Sequence, residues 1–427
     1  MPLRQGRGSI IGVLPGEAPA LALSFLYFLL LLASYYILRP VRDGLVALLG
    51  TDELKYLNLV VLAAMLILTP IFGALMAKVP RAKLLPAIYL FAIANLLGFA
   101  FVFSNTDWLA MSTRVFFVWV MVFNMFVISV FWSFMADIWN EEQARRLFGA
   151  IAAGGSTGGL LGPVLAQQLS SRIGNTGLLL TAATLLAGAM ICLLTLARRS
   201  RSTPAVNQDL RVHGTQASEA LGGSSLQSLV LVLRSPFLLG IAALVCISAV
   251  VAQFAYVETG KLARELYSTQ HELTMFFARI DFWTNSVTLC FQAVVVGLLT
   301  ARFGVKAPLV GLAVIGLISF IPVALSPVLG ALAVTNVIRR ASEYGLGKPG
   351  RDMLYTVTSP QEKYLAKNVI DTLIYRGSDS LGNWLHSALI ALGLSLAGLS
   401  WTAAGLMGVS TVIALAVVRG YHRRGGK

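Results

Sequence analysis

Along this chain of 427 residues, long apolar runs alternate with short polar breaks. Twelve runs, at 20–43, 54–76, 84–104, 110–138, 146–168, 177–197, 236–258, 274–300, 307–325, 328–345, 368–394 and 398–418, each come close to the ~20 residues a helix needs to cross the hydrocarbon of a bilayer. The runs are continuous, whereas transmembrane strands would alternate within segments of about ten residues. The pattern therefore predicts an all-α integral membrane protein of twelve transmembrane helices. One long polar connection, 198–235, holds Arg198, Arg199, Arg201, Arg211 and Arg234 among Gly, Ser and Pro. It predicts two six-helix halves, 1–197 and 236–427, joined by a loop.

Composition excludes the main rivals. Apolar residues make up 57% and charged residues 12%, against roughly 25% charged in soluble domains. A soluble enzyme and a disordered chain are both ruled out. The net charge is +14. With both termini placed in the cytoplasm, 24 of the 33 basic residues fall in cytoplasmic segments or span ends and six in outer ones, as the positive-inside bias requires. Topology thus accounts for most of the charge without a nucleic-acid partner. A multi-pass protein of a bacterial-type inner (plasma) membrane is expected, with no cleavable leader. Cys192, Cys246 and Cys290 all lie in apolar runs, which argues against disulfides. His213, His271, His386 and His422 lack metal-ligand spacing, and no Walker loop is present. Neither a metal nor a cofactor is expected, nor is enzymatic activity; His386 reads as structural.

The halves repeat one another. Gly73, Leu75, Ala77, Lys78 and Pro80 recur at an offset of 224 residues as Gly297, Leu299, Ala301, Arg302 and Gly304, with Arg81 and Lys83 closing the first copy and Lys306 the second. Parallel repeats about an axis along the membrane normal are one plan of secondary transporters. Here the chain resembles the major facilitator superfamily, whose loop signature it carries twice with Ala77 and Ala301 in place of the aspartate. The resemblance implies gating by these two segments, without the acid that latches the cytoplasmic gate. In the fifth span Gly154, Gly158 and Gly162 form a small-residue face for close helix contact. With Pro163 they resemble the antiporter motif of that superfamily, although Ala166 and Gln167 replace its final glycines.

A narrower resemblance is to the ATP/ADP translocase family of plastids and intracellular bacteria, and to its shorter bacterial relatives. It is carried by the stretch from Tyr36 through Arg39 and Arg42 to Asp43, by Phe131-Trp132-Ser133-Phe134, by Ala144 to Phe148, and by Lys348 to Thr356 followed by Lys363 to Asp371. The resemblance places a family lysine on Arg42, an aspartate on Asp43, a second lysine on Lys367 with Asp371 after it, and a seventh-span glutamate on Glu258. A fourth-span glutamate of the family has no acidic counterpart between Val120 and Asn124.

Ionisable residues inside spans are costly and usually mark a pathway. Tyr27, Leu31, Tyr35, Arg39 and Arg42 share one face of the first span. That stripe suits an adenine ring and phosphates, because arginine offers a planar bidentate fork; equally, the arginines could reach the outer interface with Asp43. Asp281, Asn285, Thr288 and Gln292 share a face of the eighth span, lining either a cavity or an interhelical seam, and Arg279 points elsewhere. The eleventh span carries Lys367, Asp371, Tyr375 and Asp379 at steps of four, with Arg376 beside Asp379. Lys367 and Asp371 could be an ordinary ion pair.

These readings predict a secondary carrier of an organic anion, a nucleotide or another phosphorylated metabolite, working by alternating access as a monomer in contact with membrane lipid. Tyr35, Arg39, Arg42, Arg279, Asn285, Lys367 and Arg376 would bind the substrate. Asp43, Glu258, Asp281, Asp371 and Asp379 would exchange charge partners. Two alternatives stand: a proton-coupled exporter of amphiphilic compounds, and a non-transporting sensor or scaffold.

Overall fold

The computed structural model describes residues 13–14, 16–103, 108–201, 225–295 and 302–426. Among them are the twelve predicted long helices and no strand. They are α1 (Ala18–Leu49), α2 (Leu54–Lys78), α3 (Arg81–Val102), α4 (Leu109–Ile138), α5 (141–173) and α6 (175–201). After a ten-residue helix, Ser225–Arg234, come α7 (Pro236–Leu266), α8 (Gln270–Cys290) and α9 (Lys306–Leu325). α10 (Leu329–Ser342) runs through a π-turn, Glu343–Gly347, into Lys348–Leu354. α11 (Pro360–Val369) likewise passes a π-turn, Ile370–Ile374, and continues as Tyr375–Ala391. α12 (Leu396–Arg423) closes the chain.

Two spans differ from expectation. The break between α5 and α6 is a single residue, Gly174, at φ 63°, a left-handed conformation that glycine adopts without steric cost. The tenth span reaches Leu354 instead of ending near 345, because its π-turn absorbs the polar interruption without ending the helix.

The chain divides into two compact units. One comprises α1 up to Arg42, α2 from Ile71, α3 to α6, and Phe277–Arg279 of α8. In it, α1 and α5 approach to backbone contact: a methyl group at Gly154 would overlap the carbonyl of Phe25, one at Gly158 that of Leu29, and one at Gly162 that of Ala33. This is the small-residue face predicted for the fifth span. Around Tyr27 an aromatic core forms. Its hydroxyl shares a 2.6 Å hydrogen bond with that of Tyr89, and Phe28 stacks on Phe131 at 4.1 Å. At the start of α1, Glu17 accepts hydrogen bonds from Arg146 (2.9 Å) and Gln143 (3.0 Å).

The hydrogen bond from Arg146 lowers the Glu17 carboxyl from its ordinary 4.5 to about 2. A carboxyl depressed on folding stabilises above its ordinary value, and that contribution fades as pH falls from about 4.5 towards 2. The pair is partly exposed, so the effect is modest. Over this window, the thermal unfolding midpoint should fall less steeply in Glu17→Gln than in the unaltered chain.

The other unit comprises Asp43–Pro70, Ala217–Phe276 and Ile280–Lys427. Two apolar cores hold it. One gathers Phe237, Ile241, Leu309, Leu354, Ile370 and Val417; the other gathers Val251, Phe254, Phe320, Leu332, Leu399 and Met407. A Cβ at Gly316 would overlap Met407 of α12, and one at Gly382 would come within 2.9 Å of the Val250 Cα, so α7 and α11 run close together. The end of α1 belongs here: Asp43 accepts a 2.7 Å hydrogen bond from Tyr256, and Gly44 abuts Thr274.

Candidate functional site

Among the described residues, eight helical segments are long and apolar enough to cross a membrane, with 141–199 taken as one. α8, α10 and α11 fall outside that set. These three carry Asp281, Arg339, Arg340, Glu343, Arg376 and Asp379, and each has a π-turn: Phe291–Val295 extends α8, and the other two lie within α10 and α11. π-turns tend to occur at functional sites. Two of them touch here, since Gln292 donates to the Tyr344 carbonyl (3.3 Å) and Gly345 packs on Phe291.

Their charges form a set of ion pairs. Arg340 donates to Asp281 at 2.6 Å, Arg351 to Glu343 at 2.5 Å, and Arg376 to Asp379 at 3.2 Å. Asp379 also accepts from Gln253 of α7 at 2.8 Å. At 1.5 Å of rise per residue, Asp281 and Arg340 each lie roughly 16 Å from the first residue of their helix, and Arg376 about 24 Å. All are therefore near mid-span, the depth at which transporter sites are usually built. Lys367 pairs with Asp352 at 2.7 Å, so the Lys367–Asp371 pair considered from sequence is not formed; Asp371 is exposed instead.

Along the seam between α7 and α11, Arg376, Asp379, Asn383 and His386 follow at steps of three, four and three. The Glu258 carboxylate lies 2.6 Å from His386 Nε2 and 3.4 Å from Lys261 Nζ. A small cavity beside it is lined by Phe254, Phe320, Leu332 and Ser400. His386, read as structural, is thus the partner of the acid singled out in the seventh span.

In the first unit the α1 stripe divides. Tyr27 and Leu31 are fully buried in the aromatic and aliphatic core and are packing residues. Tyr35 is buried edge-on to Tyr36. Arg39 is half-buried. Arg42 is 5% exposed; its guanidinium donates to Met121 Sδ (2.8 Å) and lies 5.4 Å above the Phe117 ring.

Of the other predicted residues, Arg279 is exposed and Asn285 half-buried. Gly73 and Lys78 lie in α2, and Arg81 and Lys83 open α3. Gly158, Gly162 and Pro163 lie in α5. Arg302 lies over the Phe303 ring, Gly304 adopts φ 61°, and Lys306 begins α9. Gly297 lies outside the described residues. Among the described residues, no cluster of His, Cys, Asp and Glu is placed to hold a metal ion, and all three cysteines are free.

Sequence reasoning missed Arg339, Arg340, Glu343 and Arg351. The signal was present: two adjacent arginines in a span. With the tenth span ended at 345, they read as rim charges. Continuation to Leu354 puts Arg339, Arg340 and Glu343 mid-helix and Arg351 in the last turn.

Twelve long helices, a repeated glycine-basic motif and ion pairs buried between helices fit a membrane carrier. The chain belongs to the Major Facilitator Superfamily, whose family model matches residues 23–347. Membership makes it a transporter and not an enzyme. Over 307 residues, 64% of this chain, it is 22% identical to ADP,ATP carrier protein 1 of Chlamydia muridarum (strain MoPn / Nigg), and it spans only 57% of that relative. Similar solved structures include a POT family transporter (TM-score 0.66, 13% identity, 95% of this chain and 96% of that one). Others are a bacterial homologue of the iron transporter ferroportin (0.66, 13%, 94% and 98%) and a nucleoside transporter (0.63, 13%, 93% and 99%). At such identities they share the fold.

Proposed function

We propose that this carrier moves a phosphorylated organic anion, in the first place an adenine nucleotide, by exchange across a bacterial-type inner membrane, with both termini in the cytoplasm. One observation carries the reading: guanidinium groups are buried within or close to the spans, with Arg42, Arg339 and Arg351 each less than a tenth exposed. Arginine stays charged when desolvated and matches phosphate oxygens in pairs. Arg351 is met by Glu343, whereas Arg42 donates to Met121 Sδ and the Arg339 Nε has no hydrogen-bond partner, and both suit an incoming anion. The distant ADP,ATP carrier relative points the same way. Acids Asp281, Asp379 and Asp43 neutralise or hydrogen-bond within the empty protein, and cargo would compete with them for the basic groups.

The test is uptake of labelled ATP, ADP and phosphate into liposomes, with and without internal counter-substrate. Uptake that requires internal nucleotide is expected, and Arg42→Gln or Arg376→Gln should each lower kcat/KM by about tenfold or more. No flux under any loading would retire the reading. The Glu258–His386 pair favours one second reading, a proton-coupled exporter. There, a pH gradient would drive flux without counter-substrate, Glu258→Gln would abolish it, and the arginine variants would be spared.

A further inference from the structure

Among the described residues of α8, α10 and α11, one buried cation has no hydrogen-bonded carboxylate. Arg339 is 8% exposed, its Nε has no hydrogen-bond partner, and among the described residues no carboxylate pairs with it. The nearby acids are committed: Asp281 to Arg340, Glu343 to Arg351, and Asp379 to both Arg376 and Gln253. Arg340 adds like-charge repulsion; Glu343, Asp379 and the phenols of Tyr375 and Tyr344 are near enough to act on the guanidinium through space, but neither acid is hydrogen-bonded to it. Position matters as much as pairing. Arg339 lies about 15 Å from Leu329 and about 22 Å from Leu354 along α10, so it cannot reach water beyond a helix end by extending its side chain.

A guanidinium does not escape burial by losing its proton, and an isolated buried charge is costly until something compensates it. Arg340, Arg351 and Arg376 each donate directly to a carboxylate. Arg339 has no such bond, and its guanidinium carries a fork of five donors.

We infer that Arg339 is the anchor for one phosphate group of the cargo, the group that supplies the counter-charge the protein withholds. This rests on the anion-carrier reading and goes beyond it by assigning the anchoring residue. Arg340, Arg351 and Arg376 are then held by their acids until cargo competes for them, whereas Arg339 is open to the substrate from the start. An empty site of this kind is destabilised by its own charge and relaxed by occupancy, which gives the carrier a reason to prefer the loaded state.

The full chain in detergent distinguishes this role from a structural one. Thermal unfolding is followed with and without ATP or inorganic phosphate, and ATP affinity is measured by titration, for the unaltered chain, Arg339→Gln and Arg339→Lys. Arg339→Gln should unfold at the same or a higher temperature when empty, lose the rise in Tm that ATP produces, and bind ATP about ten- to a hundredfold more weakly. Arg339→Lys should keep part of the affinity. An Arg339→Gln chain that fails to fold, unfolds at lower temperature, or keeps its ATP affinity overturns the assignment while leaving the carrier reading standing. An unaltered chain that neither binds nor transports any of these anions overturns both.

Discussion

Replacing Asp281 by asparagine should destabilise the empty protein by about 3 kcal/mol, at the low end of the cost of removing one member of a buried ion pair. Asp281 is 1% exposed and its Oδ1 accepts from Arg340 at 2.6 Å. Asparagine keeps the shape and one acceptor, so the change isolates the charge. What remains is two consecutive arginines, Arg339 and Arg340, near the middle of α10 with no adjacent carboxylate in α8. Adding Arg340→Gln should recover most of the loss, because the Gln–Asn pair keeps a hydrogen bond and removes the stranded cation. The coupling between the two changes, read from unfolding midpoints in a double-mutant cycle, is the quantity to measure. Strict additivity would show that Asp281 does not neutralise Arg340. The same single variant should lose transport, since displaced arginines disturb the neighbouring pairs.

The second large effect concerns α1 and α5. Gly158→Val should cost about 3 kcal/mol or more, at the upper end of the range for overpacking. The obstruction is the α1 backbone, which cannot rotate away as a side chain could: the new Cβ would overlap the Leu29 carbonyl and come within 2.9 Å of the Ala33 nitrogen. The two helices must separate, and packing between membrane helices depends on such close approach because lipid supplies no hydrophobic drive for it. Gly149→Ala is the control. Nothing lies within 4 Å of a Cβ there, so this change should be neutral or slightly stabilising through helix propensity. Thermal unfolding and size-exclusion profiles of both variants test the point, and equal behaviour of the two would remove the glycine face from the account.

Some of the site was legible and some was not, for reasons visible in single residues. Asp281, Arg376 and Asp379 could be singled out because a charge within an apolar run stands out. Arg339 and Arg340 were hidden by a boundary: polar residues 339–343 look like a helix end, and no hydropathy pattern announces that a π-turn will carry the helix on to Leu354. Partner choice was equally hidden. Lys367 could have paired with Asp371 one turn away in its own helix, yet it reaches Asp352, fifteen residues back. His386 gave no sign of Glu258, which is 128 residues distant. Tyr27 and Arg42 lie on one helical stripe, but one became core and the other a buried cation over Phe117.

Apolar runs, the lysine and arginine bias and the repeated glycine-basic motif were enough to establish twelve helices and a carrier of this superfamily, because burying backbone in hydrocarbon allows few solutions and the cost of exposing charge to lipid is paid residue by residue along the chain. Which charges cancel was decided only in three dimensions. Ion pairing depends on distances of a few ångströms between helices far apart in the chain, and one close approach, such as that of Gly382 to Val250, settles which side chains can meet.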